Sequence, residues 1–178
     1  MQAALEAGAG MINDVSALTH DPASLSAAAA SGVPVVLMHM LGEPGTMQQA
    51  PAYDDVVLDV YDYLESRIAA AEAAGIARTR IIADPGIGFG KTIAHNLALL
   101  DQLSLFRGLG VPLLIGVSRK GFIARLSAGE PVDHRLAGSL AAALAAVRQG
   151  AQILRVHDVP ETVQALRIAA AIDGDGQN

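Results

Sequence analysis

Short apolar runs that stop at polar or glycine residues recur along this chain and alternate with segments of helical period. The runs are Met11–Val15, Val33–His39, the stretch 80–84, Val111–Ser118 and Ile153–His157, and each predicts a strand. Met1–Ala7 reads as the tail of a helix stopped by Gly8 and Gly10, and Pro22–Ser31 as an alanine-rich helix running to Gly32. Asp54–Ala74 is a long helix with Val56, Val57, Val60, Leu64 and Ile68 at near-helical spacing, closed by Gly75. Further helices are expected at Ala94–Arg107, around Phe122–Ser127, at Arg135–Gln149 and at Pro160–Ala171. Leu41–Pro51 is a loop by its glycines and prolines, and Gly129–Asp133 a polar turn. Residues 1–172 make one domain, followed by a flexible tail at 173–178.

Strands separated by helices pair in parallel, because each connection is long enough to carry a helix back across the sheet. Two α/β architectures fit that pattern. A doubly wound sheet suits the length, whereas a (β/α)8 barrel of the TIM type takes about 250 residues and eight strands. Polar residues at every strand end favour the barrel, whose sites assemble from strand tips on one face.

The central stretch Ile81-Ile82-Ala83-Asp84-Pro85-Gly86-Ile87-Gly88-Phe89-Gly90-Lys91-Thr92 puts a single carboxylate at a strand tip. Its glycines invite a nucleotide-binding reading, but Pro85 stands where the phosphate-loop pattern needs glycine. The dinucleotide fingerprint also fails, since Lys91 takes the place of its third glycine.

Parallel pairing would bring Asn13, Asp84, Lys120, Arg155 and His157 to one edge. A carboxylate at Asp84 with an amide at Asn13 suits a flat heterocycle bearing N–H donors. Lys120 supplies a point charge, and Arg155 with His157 is suited to an anion such as phosphate. Period two places Arg155 and His157 on one face of an otherwise apolar strand, and a buried arginine there needs a partner or a ligand. Structural readings stand beside these: Asp14 and Asp84 as turn residues, Lys120 as an ordinary helix start, His39 as a satisfied core histidine.

Composition narrows the functional classes. The 178 residues, 52% of them hydrophobic, suffice for one real core. A net charge of -6 with 3% aromatic residues argues against a nucleic-acid partner. With no cysteine, disulfides and thiolate metal sites are excluded, and no close histidine pair suggests an imidazole metal site. No apolar run reaches the roughly 18 residues of a membrane span, and no basic-then-apolar leader opens the chain. A cytoplasmic protein is expected.

Five stretches together resemble a known family. They are Ile12-Asn13-Asp14-Val15, Val36-Leu37-Met38-His39-Met40 through Thr46-Met47-Gln48, Ala83-Asp84-Pro85-Gly86-Ile87-Gly88-Phe89-Gly90-Lys91, Gly116-Val117-Ser118-Arg119-Lys120-Gly121-Phe122-Ile123 and Arg155-Val156-His157-Asp158-Val159. In this order they resemble dihydropteroate synthase of folate biosynthesis. The resemblance implies a (β/α)8 barrel, here a partial one of about five βα units, similar to the C-terminal five-eighths of a synthase and starting inside its third helix. The reaction implied is condensation of 6-hydroxymethyl-7,8-dihydropterin diphosphate with 4-aminobenzoate to 7,8-dihydropteroate and pyrophosphate. Carried over by position, Asn13 and Asp84 would bind the pterin, with Lys120 between the two substrate pockets. Met38, Phe89 and Ser118 would line those pockets, and Arg155 and His157 would hold the diphosphate. Lys120 and Asp84 are the expected catalytic pair.

The resemblance also implies Mg2+, with its protein ligand in the N-terminal units that are missing here, and a homodimer of the intact enzyme. Alternatives from the same residues are a non-catalytic pterin-binding fragment and a pterin-dependent methyltransferase-like domain. The latter shares the barrel but matches these segments less well.

Overall fold

The computed structural model describes residues 1–42 and 45–174. Five short strands appear in the expected places, β1 (Ile12–Asp14), β2 (Val35–Met38), β3 (Ile81–Asp84), β4 (Leu114–Ile115) and β5 (Ile153–Leu154). The helices are α1 (Gln2–Glu6), α2 (Ser24–Ser31), α3 (Val56–Ala73), α4 (Ile93–Asp101), α5 (Gly121–Leu126), α6 (Leu136–Arg148) and α7 (Val159–Asp173). The fold is α/β, with every ladder parallel: β1 on β2, β2 on β3, and β4 on β5. A bridge between Ala83 and Leu113 joins the two groups, so the strands run side by side in sequence order.

Alternation along the strands separates two apolar layers. Ile12, Val35, Leu37, Ile81, Ala83, Leu113 and Ile115 belong to the main core with the helices, while Val36, Ile82 and Leu114 form a smaller cluster with Ile153. Helix α3 buries Val56, Val57, Val60, Leu64, Ile68 and Ala71, and Asp55 caps it by accepting from Val57 N at 2.9 Å and Leu58 N at 3.2 Å. Thr92 starts α4 through a reciprocal pair of bonds with His95.

The structure departs from expectation where the spacing of buried residues changes. The helix expected at Ala94–Arg107 splits after Asp101, and Leu103–Leu109 forms a 3-10 segment. Its buried residues Leu103, Phe106 and Leu109 recur every third position, which suits three residues per turn better than 3.6. The Val111–Ser118 and Ile153–His157 runs keep only two residues each in regular ladder. Of the tail expected at 173–178, Asp173 ends α7 and Gly174 caps it left-handed, and the remaining residues lie outside those described. Part of the Leu41–Pro51 loop also lies outside them.

The central glycines have a steric reason. Gly86 and Gly90 have φ of +69° and +61°, and an added Cβ would stand 1.9 Å from His39 O and 2.4 Å from Leu41 O respectively. The segment after β3 thus lies against the segment after β2 without room for a side chain. Gly129, with φ of +79°, has nothing within 4 Å of such a Cβ. Gly129→Ala should lose about 1 kcal/mol of stability from backbone strain alone. Gly86→Ala should lose more than about 3 kcal/mol, since a core overlap is added. Urea unfolding of the two variants checks this, and equal losses would contradict the steric account.

Candidate functional site

Two residues beyond the inner apolar cluster, the same strands and their continuations carry Met38, Asp84, Gly116 and Arg155. Asn13 on β1 is level with Val36 in register. These five residues, with Val15, Gly86, Ile87, Phe89 and Lys120, line a cavity of about 230 Å3. Asn13 and Arg155 are exposed, because β1 pairs only with β2 and β5 only with β4 among the described residues. A larger hollow of about 920 Å3 lies between α4 and α6, lined mainly by Leu97, Leu100, Phe122 and alanines, and brings no such polar set together.

Asp84 is 7% exposed. Its Oδ1 accepts from Gly86 N at 2.7 Å, so it is a turn residue as well as a cavity wall. No other hydrogen bond and no ion pair within 4.0 Å reaches the carboxylate among the described residues. Burial pushes its pKa up to about 6, against the opposing pull of the Gly86 bond and of the positive charges of Lys120, Lys91 and Arg155. A buried carboxylate with an open oxygen is an acceptor waiting for N–H donors.

Lys120 precedes α5 without capping it through its side chain. Its ammonium stands 4.1 Å from the centre of the Phe89 ring, and burial lowers its pKa. Ser118 and His157 do not line the cavity. They hold each other, with Ser118 Oγ 3.0 Å from His157 Nδ1 and accepting from His157 N at 3.2 Å. Between Ser118 and Lys120, Arg119 adopts a left-handed φ of 57° and binds Asp158 through two nitrogens, with Nε donating to Oδ2 at 3.1 Å. Its backbone N donates to Ser139 Oγ at 2.8 Å, and its carbonyl accepts from Arg135 Nη1 at 3.0 Å. Asp14 turns out to cap the following turn, accepting from Ser16 N and Oγ at 2.8 Å each.

Several residues support the glycine-rich segment, and of these only Asn96 lies outside the stretches that carry the family resemblance in the sequence. Lys91, 3% exposed, donates to the carbonyls of Gly86 and Phe89 at 3.0 Å each and lies 2.9 Å from His39 Nδ1. His39 is a buried core histidine, pushed down to about 3 by burial and by Lys91. Asn96 accepts from Gly88 N at 2.6 Å, and Gln48 donates to Gly88 O at 2.7 Å.

The residues from 1 to 157 match the model of a family described as "Pterin binding enzyme". The chain is 51% identical to dihydropteroate synthase of Escherichia coli strain K12 over 164 residues, which is 92% of this chain and 57% of that protein. It thus spans less than two thirds of the length of this curated relative. The structure of dihydropteroate synthase from Stenotrophomonas maltophilia with active site-bound imidazole superposes with a TM-score of 0.93 at 53% identity, covering 96% of this chain and 64% of that one. The Xanthomonas albilineans enzyme in complex with 7,8-dihydropteroate superposes at 0.90 with 51% identity, covering 97% of this chain and 64% of that one. The chain belongs to the pterin-binding enzyme family.

Proposed function

We propose that this chain carries the pterin side of a dihydropteroate synthase site and that its strands form five successive units of a (β/α)8 barrel. The protein would condense 6-hydroxymethyl-7,8-dihydropterin diphosphate with 4-aminobenzoate. The carrying observation is the buried Asp84 carboxylate with one hydrogen bond, on the wall of a cavity flanked by an amide and two cationic side chains. The identity to dihydropteroate synthases supports the same reading.

In this arrangement Asp84 accepts N–H bonds from the pterin ring, and the Asn13 amide both gives and accepts. Met38 and Phe89 supply apolar walls. Lys120, held over the Phe89 ring, stands between the pterin and aminobenzoate positions. Arg155 takes the diphosphate, assisted by His157, whose imidazole is kept in place by Ser118. The C–O bond to diphosphate breaks to leave a pterin cation at the exocyclic methylene, and the amine nitrogen of 4-aminobenzoate then bonds to that carbon. The electron pair leaves with pyrophosphate and the amine proton passes to solvent. Fixed positive charge near the leaving group then does more than a strong base would.

The Mg2+ implied by the resemblance has its protein ligand outside these residues, and the chain's part is to supply the Arg155 charge for the diphosphate. Among the described residues no three His, Asp or Glu side chains come together, and Asp84 feels Lys120, Lys91 and Arg155 instead. No step is therefore routed through a metal. A homodimer is part of the same proposal, supported by Ile168 and Ile172 of α7, 59% and 73% exposed. So is a cytoplasmic location, supported by the lack of cysteine. No helix of the described residues is long and apolar enough to cross a membrane.

A coupled turnover assay with both substrates and Mg2+ tests the proposal, beside calorimetric titration of the pterin diphosphate. Lys120→Ala should lower kcat/KM about a hundredfold or more. Pterin binding without turnover would assign the chain the pterin side alone. No pterin binding by a cooperatively folded chain would overturn the reading.

The pH dependence follows from Asp84. A ligand that donates to the carboxylate needs it ionised, so pterin affinity should fall about tenfold per pH unit below about 6 and level off above it. Because the folded pKa of this acid lies above its unfolded value of 3.8, ionisation opposes folding, and its stability contribution declines as pH rises from about 4 to 6. Asp84→Asn should thus abolish pterin binding while raising unfolding free energy at pH 8 by up to about 3 kcal/mol. A flat affinity profile between pH 5 and 7, or a destabilised Asp84→Asn protein, would count against Asp84 as the acceptor.

A further inference from the structure

Lys91 is the buried charged group that the proposed chemistry leaves unused. A lysine ammonium has three N–H donors and no acceptor, and three groups meet it here: the Gly86 and Phe89 carbonyls at 3.0 Å each and His39 Nδ1 at 2.9 Å. A fourth oxygen, His39 O, lies at 3.5 Å. The match requires His39 to be neutral with its proton on Nε2. The bonds go to both ends of the 86–89 turn. At one end Gly86 also donates its own N–H to Asp84 Oδ1 at 2.7 Å. At the other, Phe89 presents the ring over which Lys120 stands.

Resting on the pterin reading above, we propose that Lys91 is a positioning residue for this site, its buried ammonium pinning the 86–89 turn to His39 and supplying part of the positive charge that faces Asp84. A surface lysine would be expected to wander, but this one is 3% exposed and spends each N–H on a fixed acceptor. Pinning matters because the turn carries cavity walls at Gly86, Ile87 and Phe89. The charges facing Asp84 are those of Lys120, Lys91 and Arg155. The group facing Lys91 on the β2 side is His39, and Asp84 and Lys120 face it from β3 and the segment after β4. Burial pushes Lys91 down to about 7 and Asp84 opposes that, so each of the two favours the charged form of the other against the larger cost of burial.

The test is a carbon-13 NMR titration of the Asp84 carboxyl, assigned with Asp84→Asn, in the parent, Lys91→Met and Lys91→Gln chains. The glutamine keeps two N–H donors without the charge. The Asp84 midpoint should move up by on the order of one pH unit in both variants. Loss of the N–H donors alone would move it in Lys91→Met but not in Lys91→Gln, and an unmoved midpoint in Lys91→Gln overturns the proposal. Should neither variant unfold cooperatively, the reciprocal titration decides: the Lys91 Nζ midpoint should fall in Asp84→Asn, and no change overturns the proposal.

A second arm uses 6-hydroxymethyl-7,8-dihydropterin diphosphate. Lys91→Gln should bind it about tenfold more weakly near pH 7, with the affinity profile displaced to higher pH. Unchanged binding would overturn the positioning role. If the parent itself fails to bind the pterin, the pterin reading fails, while the Asp84 titration still decides whether Lys91 sets the charge at Asp84.

Discussion

Burial of a single carboxylate at the end of β3 is the constraint around which the site is built. An ionised group out of water needs partners, and Asp84 has one backbone N–H and three cations at a distance. The chain meets that need by placing a lysine behind the carboxylate and a lysine and an arginine in front. The residual deficit remains as a pKa of about 6. A ring with several N–H donors is the kind of group that would offset that deficit.

Much of this was legible in the sequence because parallel strands project the two-residue period directly onto the barrel-like interior. Ile82 and Asp84, Leu114 and Gly116, and Ile153 and Arg155 are pairs whose first member packs and whose second faces the cavity. Helix α3 was equally plain, since Val56, Val60, Leu64 and Ile68 repeat at helical spacing. The exposure of Arg155 is not disclosed by the apolar composition of its strand, which does not say whether the strand has a neighbour on each side. The division of the Ala94–Arg107 segment was lost for a related reason: periods of 3 and 3.6 diverge too little over one or two turns to be separated by eye.

The contacts of Lys91, Asn96 and Gln48 were not legible, although Lys91 and Gln48 lie in the stretches that carry the family resemblance. Each contacts the glycine-rich segment across a fold of the backbone, and the glycines themselves drew attention to a phosphate loop instead. In the structure those glycines serve close approach, with His39 O and Leu41 O where side chains would stand. The same composition thus answers to two physical needs, backbone N–H groups for an anion or clearance for a neighbouring chain. Only the packing partner distinguishes them.

Arg119 extends the site's reach beyond the strands. Its left-handed backbone turns Ser118 and Lys120 to different neighbours, one to His157 and the other to Phe89, while its own side chain anchors on Asp158 just before α7. The same residue is tied to α6 through Ser139 and to Arg135. The spacing between the two functional side chains is therefore not a local property of their loop. It is set by how α6 and α7 seat against each other, which makes the outer helices part of the gauge that fixes the distance between Ser118 and Lys120.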